Sequence, residues 1–325
     1  MPGFTTHYIF GMKAYNDMPF TPLKHTIAKY RWLYQLGLQG PDMFFYNIPI
    51  LRHRDYRNVG SYMHEHKVNA FFECCLRRIG TIRSRQQQEE AISYLAGFIN
   101  HYIADSICHP YVYGRIGYPV DAPTSMHHGM HAHLENELDA ILLWKYKKKK
   151  PSEFNQTATI CLNGQEIQFI SHFLASCINE TYYPITYRNN FQVTPAMVHR
   201  SIWALRFGCR TLSDKNGKKK FGIAQVESIF VNHPVASAKM VTDSVTDYRS
   251  SCNLNHEAWG NPWDPTRVST ASFVDLFHET LDKCSRVYAL LNSAVTDNMP
   301  LEKQDLSPLL AELGNESYHS GLPVE

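Results

Sequence analysis

The stretch HYIADSICHP, residues 101–110, sets His101, Asp105 and His109 four residues apart within an otherwise apolar run. On a helix, four residues advance the chain by about 400° and about 6 Å, so His101 and Asp105 project from one face and can share a metal ion. A second run, HHGMHAHLENELD at 127–139, repeats the spacing with His131, Glu135 and Asp139. One His-x-x-x-Asp/Glu pair means little in a chain with 17 histidines and 30 acidic residues. Two such pairs on apolar helices, each with a further histidine close by, carry more weight. A buried carboxylate needs compensation of several kcal/mol, which a divalent cation held by neutral imidazoles supplies and apolar packing does not. Imidazole nitrogen and carboxylate oxygen without thiolate suit catalytic rather than structural zinc. Most of the remaining histidines are expected to be core or surface residues bonded to a neighbour.

The elements that must position these groups are helical. Residues 89–108 carry apolar side chains at 91, 92, 95, 98, 99, 102, 103 and 107, a spacing that predicts a core helix. Pro110 disfavours the α conformation at position 109, so the helix is expected to stop there and turn His109 toward a second ion. Segments 6–15, 61–79, 127–146, 171–182, 196–212, 224–246 and 270–296 also read as helices, with Ser61 as a cap and Gly208 as a stop. TATICLNGQEIQF alternates on both sides of Asn163-Gly164, which predicts a β-hairpin at about 157–169 with a type I′ turn. NLNHEAWGNPWDP at 253–265 reads as a packed loop, with a pocket wall built on its two tryptophans as the alternative.

The expected fold is mainly α: a single helical domain over residues 1–298. It comprises a metal-ligand half (1–146), the small β-hairpin insertion and a helical second half (171–298). Residues 299–325 read as a loosely held tail.

Composition excludes several classes. Lys and Arg number 32 against 30 acidic residues, and the net charge of +2 gives no overall field for nucleic acid or anionic membrane. The Lys145–Lys150 run reads as a solvated helix end stopped by Pro151. No basic segment leads into an apolar one at the start, and no apolar run approaches the ~18 residues a membrane span needs. The expectation is a soluble, cytoplasmic protein, at most peripheral at a membrane surface. The 8 cysteines form no Cys-x-x-Cys pair and read as reduced core residues. Walker, G-x-G-x-x-G, G-x-S-x-G and H-E-x-x-H templates are absent, as is an adjacent His-Asp dipeptide. Glu-x-x-His occurs only at Glu316–His319, which argues against a four-helix di-iron site.

Over about residues 2–146, an ordered set of motifs resembles the zinc-dependent phospholipase C family, whose fold is shared by the S1/P1-type nucleases. The set is Thr6-His7, Pro41-Asp42, a following histidine, His101-x-x-x-Asp105, His109, and His131-x-x-x-Glu135-x-x-x-Asp139. GLQGPDMFFY and GSYMHEHK look especially like bacterial members without a secretion signal. The resemblance implies an all-helical fold holding two to three zinc ions. It implies Asp42, His64, His101 and Asp105 around one ion, and His109, His131 and Glu135 around another. A further ion would take His7, the terminal amine and carbonyl, and Asp105 as a bridge. Pro2 would present that amine once the initiator methionine is removed. His53 and His66 are alternatives to His64, and His133 with Glu137 shares the spacing of His131 with Glu135. Asp139, one turn beyond Glu135, is expected to orient a ligand rather than bind metal.

The implied activity is phosphodiester hydrolysis by a metal-activated water, with Asp42 and Asp105 as the catalytic carboxylates. The implied substrate is a phospholipid or another phosphodiester. Phe44, Phe45 and Tyr46 follow Asp42 directly and could receive a lipid or a quaternary ammonium head group, although core packing accounts for the same aromatics. Two other readings are kept: an S1/P1-type nuclease, for which no basic track stands out in residues 1–146, and a non-catalytic metal- or lipid-binding module.

Overall fold

A computed structural model describes residues 3–46, 58–182, 192–214, 216–230, 237–243, 245 and 247–325. The fold is mainly α, with one small antiparallel hairpin. The first half contains α1 (Phe4–Asp17), α2 (Pro22–Lys29), α3 (Arg31–Gly37), a 3₁₀ segment (Gly40–Tyr46), α4 (Val59–Glu65), α5 (Val68–Thr81), α6 (Arg85–Arg115) and α7 (Ser125–Lys147). The second half contains α8 (Gly164–Thr181), α9 (Pro195–Leu212), α10 (Lys218–Phe230), α11 (Tyr248–Ser251), β1 (Trp259–Asn261), β2 (Asp264–Ser269), α12 (Phe273–Thr296) and α13 (Ser307–Leu313).

The run predicted as a core helix lies within α6, where every residue from Ala91 to Ser106 is buried except Ile92. Ser84 starts α6 by accepting from the Gln87 N–H at 3.4 Å. α6 packs against α1, α2, α3 and α12. Its crossing with α3 is close because two glycines face each other. A Cβ on Gly37 would overlap the Tyr94 carbonyl, and one on Gly97 would overlap the Tyr34 carbonyl. This contact delivers the chain after α3 onto the middle of α6. There Gly40, at φ +46°, lies so close to the His101 ring that a Cβ would overlap it.

Four expectations are corrected. α6 does not stop at His109 but runs through Pro110 to Arg115. A proline removes the N–H that Ser106 O would receive; that carbonyl lies beside Gly321 of the C-terminal segment, where a Cβ would press on it. The predicted hairpin at 157–169 is instead a 3₁₀ segment (Gln156–Thr159) followed by α8. Asn163 is a helix cap rather than a turn: its Oδ1 accepts from Glu166 N at 2.9 Å, while Glu166 Oε2 accepts from Asn163 N at 2.8 Å. The actual hairpin is β1–β2, formed by the sequence read as a packed loop, with Asn261 opposite Asp264. Finally, residues 299–325 are not a loose tail. Leu301, Leu306, Leu309, Leu313 and Tyr318 are buried in the core, where apolar area removed from water outweighs the loss of chain freedom.

Candidate metal centre

α6 supplies the axis of the site. His101, Asp105 and His109 lie on successive turns and each is fully buried. The first group gathers around Asp105 and His101. Asp42, from the 3₁₀ segment, and His64, from α4, join them with one ligand atom each, all within 4.8 Å of one another. His101 Nε2 is 3.1 Å from Asp105 Oδ2, and His64 Nε2 is 3.3 Å from Asp42 Oδ1. His7, from α1, reaches the other oxygen of Asp105: its Nε2 is 3.1 Å from Oδ1, and its ring stacks on His101 with centroids 4.0 Å apart. The two Asp105 oxygens thus face different histidines.

Eight residues along α6 from His101, about 12 Å further, His109 meets α7. His109, His131 and Glu135 form the second group, again within 4.8 Å. His131 Nε2 is 2.6 Å from Glu135 Oε1, and His109 Nε2 is 3.7 Å from it. This group is the more accessible: the His131 and Glu135 side chains are each 12% exposed.

The donor atoms fit a cation. Nε2 of His7, His64, His101 and His109, Oδ1 of Asp42 and both Asp105 oxygens are buried and make no hydrogen bond among the described residues. Leaving such atoms unmet costs roughly 1–3 kcal/mol each, more for a charged group. On the opposite edge of three of these rings, Nδ1 donates to a backbone carbonyl: His64 to Gly60 O at 2.6 Å, His101 to Leu38 O at 3.1 Å, and His109 to Tyr318 O at 2.6 Å. These bonds fix the tautomer that leaves a lone pair on Nε2, as metal-ligating histidines require. The two groups differ in their charge balance. Burial opposes ionisation of Asp105, yet His109, His101 and His7 hold it well below the usual carboxylate range. Burial also opposes charge on His101, but Asp105 and Asp42 outweigh it and raise its pKa. In the second group burial pushes the Glu135 carboxyl well up and the His109 and His131 imidazoles well down, the form in which imidazole binds a cation.

Asp139 does not orient Glu135. Its Oδ1 accepts from Thr6 N at 2.7 Å and its Oδ2 from Thr5 N at 3.1 Å, so it caps α1 from a distant helix and fixes His7. Gly3 leaves room for it, since a Cβ there would overlap the carboxylate. Of the alternative ligands, His66 packs against Tyr62 outside the group. His133 is exposed, and Glu137 turns to Ser251. His53 and Pro2 lie outside the described residues. The aromatics after Asp42 are largely structural: Phe44 is core, Tyr46 packs against Gly208, and Phe45 lies 5.4 Å from the His64 ring.

Two contributors come from the second half of the chain. The C-terminal segment ties the groups together: Tyr318 N donates to His64 O at 2.9 Å while Tyr318 O receives His109 Nδ1–H. The next residue, His319, stacks on His64 at 4.9 Å and 12°. Trp263, between the strands, meets Tyr113 at 4.9 Å and Tyr118 at 6.0 Å, and Tyr113 lies 4.5 Å from His131.

The fold and site together define a helical protein with two groups of His, Asp and Glu able to hold metal. A family model, zinc dependent phospholipase C, matches residues 6–186, more than half of the chain, and the chain belongs to this family. That family is zinc-dependent, which agrees with the donor set. Neither a curated protein nor a solved structure matches the chain.

Proposed function

We propose that the chain is a zinc-dependent phosphodiester hydrolase of phospholipase C type, with Asp42, His64, His101, Asp105 and His7 around one part of a multi-zinc site and His109, His131 and Glu135 around the other. The observation that carries this reading is Asp105, whose two oxygens face His7 and His101 at equal 3.1 Å separations, so that each oxygen would be available to a cation held with a different histidine. Bound zinc would supply a Lewis acid for the phosphoryl oxygens and a water ionised near neutral pH.

The chain's own groups supply the rest. Asp105, fully buried and held ionised, is a fixed negative charge between the imidazoles. Asp42, whose side chain is 5% exposed, is the carboxylate of its group with access to water, and it suits the acceptance of a proton from the attacking water. Tyr113 stands beside His131, and Tyr118 and Trp263 pack on Tyr113, which gives an apolar wall with π faces suited to a phospholipid head group.

Incubating the zinc-loaded chain with phosphatidylcholine and, separately, with single-stranded DNA tests the proposal. The expected result is release of the phosphorylated head group with DNA left intact. Cleavage of DNA alone would favour a nuclease, and bound zinc without turnover of any ester would favour a binding module.

A further inference from the structure

α9 presents two different faces. Its inner side chains Val198, Ile202, Leu205 and Cys209 are buried, and Gly208 packs on Tyr46, at the end of the 3₁₀ segment that carries Asp42. On the outer face, Trp203 and Phe207 are 63% and 52% exposed and stack with centroids 5.4 Å apart at 9°. Single exposed apolar residues are ordinary, but a stacked aromatic pair ringed by cations is not. Arg200, Arg206 and Arg210 follow the same face at helical spacing, and none forms an ion pair among the described residues. An open cleft of about 830 Å³ between α9 and residues 151–157 is lined in part by Trp203, Arg206, Phe207 and Arg210. Exposed Lys147–Lys150 lead into its far wall. The carboxylate in that lining, Glu153, turns to the Lys150 N–H at 2.9 Å.

α10 extends the pattern. Its first residues are Lys218, Lys219 and Lys220, followed by Phe221 at 67% exposure. Cations at the positive pole of a helix are unfavourable, so helix stability does not account for them. Lys219 Nζ donates to Thr211 O at 3.4 Å and Ser213 O at 3.0 Å, which fastens this turn to the end of α9. Asp214 there accepts from the Lys220 N–H at 2.8 Å.

We propose that the outer face of α9, with the first turn of α10, docks on an anionic phospholipid bilayer. Trp203, Phe207 and Phe221 enter the interfacial layer while Arg200, Arg206, Arg210 and the lysines meet lipid phosphates. Among the described residues no helix is long and apolar enough to cross a membrane, so the contact is peripheral. Stacking of a single-stranded nucleic acid on the exposed ring faces is the competing outcome, which the test reads separately. The docking does not depend on turnover.

Co-sedimentation of the 325-residue chain with vesicles of phosphatidylcholine alone, or mixed with phosphatidylserine, tests this. The spin is made on ice, with released head group assayed in the same tubes so that loss of hydrolysis and loss of binding are read apart. The mixed vesicles should retain the chain and the neutral ones should not. Arg200→Gln with Arg206→Gln and Arg210→Gln should weaken retention about fivefold per residue, on the order of a hundredfold together. Trp203→Ala with Phe207→Ala should also weaken it and Trp203→Phe should not, with zinc content unchanged in each variant. Equal retention of wild type and variants, or no retention by mixed vesicles, would overturn the proposal. So would capture by a single-stranded oligonucleotide instead, or a vesicle-free dimer that the Trp203→Ala/Phe207→Ala change abolishes.

Discussion

Replacing Asp139 with Asn should alter the pH dependence of stability in a defined direction. Burial pushes the Asp139 carboxyl up to about 6, against the hydrogen bonds from Thr6 and Thr5 that favour its ionised form. A carboxyl raised from 3.8 to about 6 favours the folded state most below its unfolded pKa, and that contribution is lost as pH rises through about 6. The full loss is about 3 kcal/mol at 1.36 kcal/mol per pH unit, of which about 2 kcal/mol falls between pH 4.5 and 7.5. Asn keeps the shape and does not titrate. At about 2.1 cal/mol/K per residue, 2 kcal/mol corresponds to roughly 3 °C in Tm for this chain. Thermal melts of metal-stripped wild type and Asp139→Asn at the two pH values measure it. The wild type should lose about 3 °C relative to the variant on going from pH 4.5 to 7.5. A difference that stays constant, or that grows in favour of wild type at high pH, would refute burial as the dominant influence on Asp139.

Other outcomes follow from the same geometry. Gly3→Ala should push the Asp139 carboxylate off the α1 terminus and cost about 1–3 kcal/mol in chemical denaturation. By loosening His7 it should also weaken zinc binding about 10–100-fold, measured by competition with a chelator. Deleting residues 317–325 removes the Tyr318 carbonyl and N–H that hold His109 and His64, so the truncated chain should retain less zinc, whereas Tyr318→Phe keeps both backbone bonds and should retain it. His133→Ala should leave zinc content and hydrolysis unchanged, because that side chain is exposed and outside the second group.

The pairing of His101 with Asp105 and of His131 with Glu135 was legible because helical spacing is rigid: each pair had to share a face wherever its helix packed. The fold class was legible for the same reason. Asn163-Gly164 misled because an Asn before Gly suits both a type I′ turn and a helix cap, and the choice rests on Glu166 three residues later. Pro110 misled because a proline disfavours but does not forbid the helical conformation before it, and α6 continues through it with Gly321 packed against the Ser106 carbonyl. Trp263 was legible only as one of two tryptophans in the loop at 253–265, and residues 318–319 left no trace as parts of the site, since backbone groups bonding to a distant histidine impose no spacing on the sequence. The partner of Asp139 lies across the fold in α1, which adjacency to Glu135 could not reveal.

The central claim is that the two groups hold zinc, and elemental analysis of the purified chain tests it most directly. At least two zinc ions per chain are expected, falling in His101→Ala and, separately, in His109→Ala. A chain that carries less than one zinc, or whose zinc content neither substitution lowers, would contradict it.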